Sequence, residues 1–311
     1  MKMSRRIFLK QSARVGGALM AASMLPKHGF THKEAGTITI LHTNDIHGYL
    51  DPLPPDAGRF AGLGGAAARA ALIKQIREEA KNILLLDAGD MLQGASNLDL
   101  YKGEAVLKSM SRMGYDAATI GDHDFDAGIE NFASKLKHAN FPIIISNYCF
   151  TATPMENKYI PYKIFQKENL KLGVLGIGIA LEGLVSEGLY GNTICLAPIE
   201  CANNTASVLK KSGCDLIICL SHLGDKYADN KISDEVLAKE CFDIDLILGG
   251  HSHRLLEAPR VYRNRKGGDT VVNQVGWAGV ALGRLDYLLE RSRVKRRSAL
   301  HLVAIGKKNE E

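Results

Sequence analysis

The 311-residue sequence has little tryptophan, proline or cysteine, and its cysteines form no Cys-x-x-Cys pair. It has one Trp, nine Pro and six Cys, and we find no internal repeat. With 46% hydrophobic and 23% charged residues, the composition excludes a disordered, collagen-like or coiled-coil chain. We expect most of the cysteines to be buried as small hydrophobes, although an extracytoplasmic location would permit a disulfide.

The sequence also lacks a general excess of basic charge. The formal net charge of +5 comes from residues 1–27, which contain six basic residues and no acidic one. The remaining residues carry 33 basic and 34 acidic side chains, a net charge of −1. Most of the chain therefore has no general electrostatic reason to bind nucleic acid, and we predict no nucleic-acid partner.

The first 27 residues have the composition of an export signal. Residues 4–10 read Ser-Arg-Arg-Ile-Phe-Leu-Lys, and an apolar run of 11 residues follows at 15–25. This pattern predicts a twin-arginine-type export signal over residues 1–27 and a periplasmic or extracytoplasmic location. The run is shorter than the roughly 20 residues that span a bilayer, so we predict no stable transmembrane span. Anchoring by an uncleaved signal and an amphipathic helix packed on the fold remain alternatives.

From residue 37 onward, short apolar runs alternate with helical patterns. The predicted strands are 38–41, 83–86, 117–120, 142–146, 172–177, 216–220 and 246–248. The predicted helices are 66–80, 104–113, 129–138, 200–211 and 233–241. This alternation predicts an α/β fold with a largely parallel sheet covered by helices. The last strands, 261–262, 270–274, 280–289 and 300–305, are typical of a β-meander and predict a second, antiparallel sheet region. No linker divides the segment, so we expect one domain over residues 37–305.

Polar residues of the types that bind metals stand directly after five of the predicted strands. In chain order they are Asp45 and His47, Asp90, Asp122 with His123, His222, and His251 with His253. Because the carboxyl ends of parallel strands open onto one edge of a sheet, we expect these side chains to meet in one crevice. Neighbouring glycines at 89, 121, 249 and 250 are expected to let the backbone turn sharply there.

The residue types indicate what the crevice holds. Carboxylate oxygens and imidazole nitrogens without thiolates favour divalent Mn, Zn, Fe, Co or Mg over a structural thiolate zinc site. Seven donors are too many for one ion. They are enough for two adjacent ions if one carboxylate bridges, which is the usual arrangement for displacement at phosphorus.

The ordered motifs resemble those of the calcineurin-like metallophosphoesterases. Within that family, the segment 84–90 (Leu-Leu-Leu-Asp-Ala-Gly-Asp), Gln93-Gly94, the segment 113–117 and Phe125-Asp126 are similar to the 5'-nucleotidase branch. The similarity runs from about Thr37 to Leu289. It implies a four-layer α-β-β-α sandwich of two mixed sheets, with the dimetal site at their edge.

The resemblance also implies a role for each matched residue. One metal would be held by Asp45, His47, Asp90 and His253, and the other by Asp90, Asp122, His222 and His251, with Asp90 bridging. Water activated by the two cations would attack phosphorus. His123 would stabilise developing charge or protonate the leaving group, and Asp126 would orient His123.

The sequence departs from the family pattern at two points. Asp122 stands where the family usually has Asn, which adds a negative charge and repels an anionic phosphate by roughly 1–4 kcal/mol at 4 Å. The second difference is length. The similarity to the family ends near Leu289, whereas exported 5'-nucleotidases usually carry a further C-terminal domain that binds the base and the phosphate. We therefore expect either a loosely held leaving group or a separate substrate-binding polypeptide. The basic run at 291–297 could meet such a partner, but a solvated turn is the simpler interpretation.

These observations predict an exported dimetal phosphatase that hydrolyses nucleoside 5'-monophosphates, with cyclic nucleotides and nucleotide sugars as further candidate substrates. The alternative from another class is a catalytically weak metal-binding subunit that needs a separate substrate-binding partner. The nearest enzymatic rival is a broader phosphodiesterase, and the resemblance also includes relatives that act on sulfur-bound groups.

Overall fold

The computed structural model describes residues 36–92, 102–229, 231–289 and 300–304. The predicted signal (1–27), Gln93-Gly94 and the basic run 291–297 lie outside these residues. Among the residues that are described, no helix is both long and apolar enough to cross a membrane.

Strands and helices alternate along the described chain. The strands are β1 (Gly36–Thr43), β2 (Ile83–Asp87), β3 (Ala117–Ala118), β4 (Tyr148–Cys149), β5 (Tyr162–Lys167), β6 (Leu170–Ile177), β7 (Ile194–Cys195), β8 (Leu216–Ser221), β9 (Leu246–Gly249), β10 (Arg260–Arg263), β11 (Asp269–Asn273), β12 (Ala281–Leu289) and β13 (Leu300–Ala304). The α-helices are α1 (Ala66–Glu79), α2 (Lys102–Met113), α3 (Ile129–Lys135), α4 (Glu187–Tyr190), α5 (Pro198–Lys211) and α6 (Asp234–Glu240).

The strands form two mixed sheets and one small ribbon. The first sheet has the order β13-β12-β1-β2-β3, in which β1, β2 and β3 are parallel and β12 is antiparallel to both of its neighbours. The second has the order β10-β11-β9-β8-β6-β5, with β6, β8, β9 and β11 parallel and the two edge strands antiparallel. Strands β4 and β7 form the two-stranded ribbon.

The two sheets pack face to face, and helices cover their outer faces. Alternate side chains divide between the layers: Leu84 lies in the cluster between the sheets, whereas Leu85 packs with the helices outside the first sheet. In the second sheet Ile218 faces the first sheet and Ile217 faces α5 and α6. Burial on both faces explains why the central strands are continuous apolar runs. The predicted sandwich of two mixed sheets between helices is thereby confirmed.

The path of the last strands differs from the prediction. They do not form a separate antiparallel region, because β10 and β11 extend the second sheet while β12 inserts beside β1 in the first. The predicted strand 142–146 makes only isolated bridges, at Ile143 and Ile144. Strands β4, β5 and β7 were not predicted, since β5 is only partly buried and the other two are two residues long.

Fewer cysteines are buried than we expected from the sequence. Cys214, Cys219 and Cys241 are buried, and the other three are only partly covered. All six are free thiols, so the expectation that most are buried holds for half of them.

Candidate metal centre

The loops that follow five strands bring all seven predicted donors together. They lie in two groups within which the donor atoms are no more than 4.8 Å from one another, one formed by Asp45, His47, Asp90 and His253 and the other by Asp122, His222 and His251. Three of the five strands, β1, β2 and β3, belong to the first sheet, and β8 and β9 belong to the second. The centre therefore lies where the carboxyl ends of parallel strands of both sheets meet.

Asp90 lies between the two groups. Its Oδ2 is 3.7 Å from His47 Nε2 in its own group and 3.1 Å from His222 Nε2 in the other. On the first side, His47 Nε2 is 2.8 Å from His253 Nε2. On the second side, Asp122 Oδ1 is 2.8 Å from His251 Nδ1 and 3.3 Å from His222 Nε2. One carboxylate thus faces both donor groups.

Five of the seven donors have left-handed backbone conformations that side chains usually avoid. The φ values are 52° at Asp45, 49° at His47, 54° at Asp90, 69° at His251 and 52° at His253. Each such residue costs on the order of 1–3 kcal/mol and persists only where surrounding contacts fix it. Backbone hydrogen bonds between the loops supply these contacts, among them His47 N–H to the Asp90 carbonyl at 2.9 Å. Such clustered strain is characteristic of a functional site.

The glycines of the site act differently from the prediction. Only Gly89 has a left-handed conformation, with φ of +93°. A Cβ atom at Gly121 would lie 2.0 Å from Asp90 Oδ1, one at Gly250 would lie 2.7 Å from His222 Nδ1, and one at Gly249 would lie 2.1 Å from Asp234 Oδ2. These three positions require glycine because other side chains pack against the backbone, while the donors themselves make the sharp turns.

Hydrogen bonds from the surrounding backbone orient the donors. The His222 Nδ1–H donates to the Ala88 carbonyl at 2.7 Å, which turns Nε2 toward Asp90 and Asp122. Asp90 Oδ1 accepts the backbone N–H of His123 at 2.9 Å, and Asp45 accepts that of His251 at 2.9 Å. Such fixed orientation of imidazole and carboxylate is typical of metal ligands.

Asp124 is a supporting residue to which the sequence motif gave no role. Its carboxyl group accepts the backbone N–H groups of Asp90 at 3.1 Å, Leu92 at 2.9 Å and Gly121 at 2.9 Å. Burial, followed by repulsion from Asp90, raises the pKa of Asp124 to about 8. Asp124 thus ties the loop after β2 to the loop after β3. In the sequence, only the position of Asp124 between His123 and Phe125 in the motif could have indicated this supporting role.

Two buried side-chain amides, those of Asn44 and Gln274, also support the donors. Asn44 donates to Asp45 Oδ2 at 2.5 Å and accepts the backbone N–H of Val275 at 3.0 Å. Gln274 donates to the Gly250 carbonyl at 2.5 Å. Sequence reasoning missed both residues. Asn44 directly precedes a donor, but nothing in the sequence connects Gln274 with this centre.

His123 and Asp126, the predicted catalytic pair, lie beside the donors. His123 Nδ1 is 2.9 Å from Asp126 Oδ2, and the His123 side chain is about half exposed. The hydrogen bond to Asp126 raises the pKa of His123 to about 9; partial burial opposes this shift and the carboxylates of Asp90 and Asp122 add to it. The His123 ring centroid is 5.1 Å from that of His47. Asp126 therefore favours the protonated form of the His123 imidazole next to the centre.

The buried donor atoms fit divalent cations. Asp90 Oδ2 and His222 Nε2 are both inaccessible to solvent, and neither forms a hydrogen bond of good geometry. Buried polar atoms without such partners are costly unless something else, such as a cation, satisfies them. Burial raises the pKa of Asp122, but its contacts with the imidazoles of His222 and His251 outweigh this and lower the pKa below the usual range. Asp122 is therefore an ionised oxygen donor.

The chain is similar to known phosphoesterases in both sequence and structure. The model of the family "Calcineurin-like phosphoesterase" matches residues 38–255. The chain is 34% identical over 227 residues to the snake venom 5'-nucleotidase of Crotalus adamanteus and 32% identical over 312 residues to a 5'-nucleotidase of Vibrio cholerae. A crystal structure of a 5'-nucleotidase precursor from Thermus thermophilus is similar to it with a TM-score of 0.78 and 30% identity.

These matches cover most of this chain but only part of each relative. They span 70% of the chain and 37% of the Crotalus protein, 92% and 55% for the Vibrio protein, and 87% and 55% for the Thermus structure. The chain thus spans about two fifths to just over half of the length of these relatives. The predicted resemblance to the 5'-nucleotidase branch is confirmed over that part. Because the family model covers well over half of the chain and the matched segment contains all seven donors, the chain belongs to the calcineurin-like phosphoesterase family.

Proposed function

We propose that this protein is a metal-dependent phosphomonoesterase that releases phosphate from nucleoside 5'-monophosphates. The observation that carries the proposal is the pair of donor groups that face one carboxylate, Asp90, with the His123–Asp126 pair beside them. The names of the relatives, 5'-nucleotidases, support nucleotides as the substrate class. Cyclic nucleotides and nucleotide sugars belong to the same proposal as further substrates.

Two divalent ions would be held by the two donor groups, with Asp90 as the shared ligand. When bound, they would supply an activated water and neutralise charge at phosphorus. The oxygen and nitrogen donors suit Mn, Zn, Fe, Co or Mg. The chain's own contribution is to hold these donors in fixed orientations, through Asp124, Asn44 and the Ala88 carbonyl.

Asp122 sets the charge of the centre. Two divalent ions would meet three carboxylates, those of Asp45, Asp90 and Asp122, which leaves a net charge of +1. An Asn at position 122 would leave +2. The carboxylate therefore strengthens cation binding and weakens attraction for a phosphate dianion, by roughly 1–4 kcal/mol at 4 Å.

His123 would serve the leaving group. Its protonated ring can donate a proton to the ester oxygen as the P–O bond breaks, and Asp126 keeps the ring both oriented and charged. The side chain is half exposed, so a substrate can reach it from solvent.

Export and domain limits are part of the proposal. The residues at 4–27 support a twin-arginine-type signal and an extracytoplasmic location, and the catalytic domain is proposed to cover residues 37–305. A catalytically weak subunit that depends on a separate polypeptide is the alternative. Hydrolysis by the isolated chain separates the two.

Removal of metal should abolish activity. We expect chelation to lower the hydrolysis of adenosine monophosphate by more than about a thousandfold and added Mn²⁺ to restore it, because the cations supply several kcal/mol of the catalysis. Trp277, the only tryptophan, stacks on the His253 ring at 5.7 Å, so its fluorescence should change as Mn²⁺ binds. Undiminished turnover after chelation would refute the proposal. Activity that appears only with a second polypeptide would favour the subunit alternative.

Replacing His123 by Asn should reduce turnover without loss of metal. Loss of a general acid typically costs about 10²–10⁴-fold in kcat. The bound metal, measured by elemental analysis, should stay the same, because His123 is not among the donors. His138→Asn, which removes a histidine paired with Glu104 away from the centre, is the matched control. Normal turnover in His123→Asn would show that the role assigned to His123 is wrong.

Replacing Asp126 by Asn should shift the pH dependence. Above its pKa His123 is neutral and has no proton to donate, so activity falls on the alkaline side. Loss of the Asp126 carboxylate lowers the pKa of His123, so we expect this fall to begin about one to two pH units lower than in wild type. The measurement is a pH profile of kcat for both metal-loaded proteins. An unchanged alkaline limb would contradict the proposed pairing.

A further inference from the structure

A cavity of about 620 Å³ opens beside the metal centre and shares His251 with it. Its wall is built from the segment after β6, the turn after β8 and the start of α5. The volume lies within the range of small-molecule pockets, roughly 300–1,000 Å³. None of the motifs in the sequence points to this cavity.

The wall is mostly apolar, and several of its apolar side chains are exposed to solvent. Leu184 is 52% exposed, Leu196 45% and Ile232 39%. A single exposed leucine needs no explanation, but several around one concavity indicate a surface that binds an apolar group.

The polar side chains deep in the wall form hydrogen bonds with nearby backbone groups. The Asn147 amide donates to the Gly178 carbonyl and accepts the Gly178 N–H, both at 2.8 Å. The Tyr227 hydroxyl donates to the Leu223 carbonyl at 2.8 Å. At the rim, Lys231 pairs with Asp229 at 3.7 Å and lies 6.0 Å from the centroid of the Tyr227 ring. Asn147 and Tyr227 are thus already bonded within the protein, whereas the charged side chains of the wall, Lys231 and Glu182, are exposed to solvent. The inner part of the wall therefore recognises by shape and apolar contact.

The cavity lies next to the place where a phosphate ester would bind. His251 contributes Nδ1 to the second donor group, 2.8 Å from Asp122, and also lines the cavity. The cavity therefore adjoins the donors at which the phosphorus of a phosphate ester would lie. The alkyl and aromatic side chains of Ile179, Leu184 and Tyr227 suit the faces of a planar ring.

From this geometry we propose that the cavity is a leaving-group pocket that takes the aromatic ring of a phosphate monoester without reading the ring's polar edge. The inference rests on the proposed phosphatase function and specifies its substrate class. It implies that nucleotides with different bases are hydrolysed with similar efficiency, and that other monoesters with an aromatic ring are accepted.

The test compares 2-phenylethyl phosphate with ethyl phosphate, which have similar leaving alkoxides and differ by the ring. We expect the wild-type protein, loaded with Mn²⁺, to show a kcat/KM at least about tenfold higher for the phenyl ester. The double variant Leu184→Ser/Ile232→Ser should lower this ratio by about three- to tenfold. Val261→Ser is the matched control, because Val261 is 58% exposed on β10 outside the cavity. It should leave the ratio unchanged.

A direct binding measurement accompanies the kinetics. Ligand-observed NMR with 2-phenylethanol should show binding to wild type and to Val261→Ser, and weaker binding to the double variant. Equal kcat/KM values for the two esters in wild type would overturn the pocket while leaving the phosphatase intact. If neither ester, nor adenosine monophosphate, is hydrolysed by the metal-loaded protein, the proposed function itself fails.

Discussion

The structure is organised around a concentration of like-charged oxygen atoms that cannot remain close without counter-charge. Asp45, Asp90 and Asp122 are buried within a few ångströms of four imidazoles. Burial opposes a positive charge on His222, but the Asp90 and Asp122 carboxylates outweigh it and raise the pKa of His222 well above its usual value. The sheet edges, the left-handed turns and the close-packed glycines all hold this set of donors in place.

The family to which the chain belongs and the reaction proposed for it are supported by different observations. The family rests on a match over residues 38–255, whereas the proposed reaction rests on how the side chains are placed. Asp122 stands where the resemblance to the family leads us to expect Asn, and its two imidazole contacts show that the structure accommodates a carboxylate there. The additional charge favours cation binding over phosphate binding. Apolar contact with the leaving group would offset part of that loss.

Much of the fold and the donor set was predictable because the signals are local. Apolar runs of four to six residues mark buried strands, and polar residues just after them mark the sheet edge. The path of the last strands was not predictable, since β12 pairs with β1 across more than 200 residues of sequence. Asn44, Gln274 and the cavity near Leu184 depend on such distant contacts too. His42, buried in β1 and hydrogen-bonded to Asn273, shows that a histidine near a donor in sequence need not be one.

The proposed dimetal centre is tested most directly by locating cations in crystals of the Mn²⁺-loaded protein by anomalous scattering. We expect two adjacent peaks, one bounded by Asp45, His47 and His253 and the other by Asp122, His222 and His251, with Asp90 in contact with both. A single peak, peaks elsewhere on the molecule, or no bound ion at saturating Mn²⁺ would contradict it.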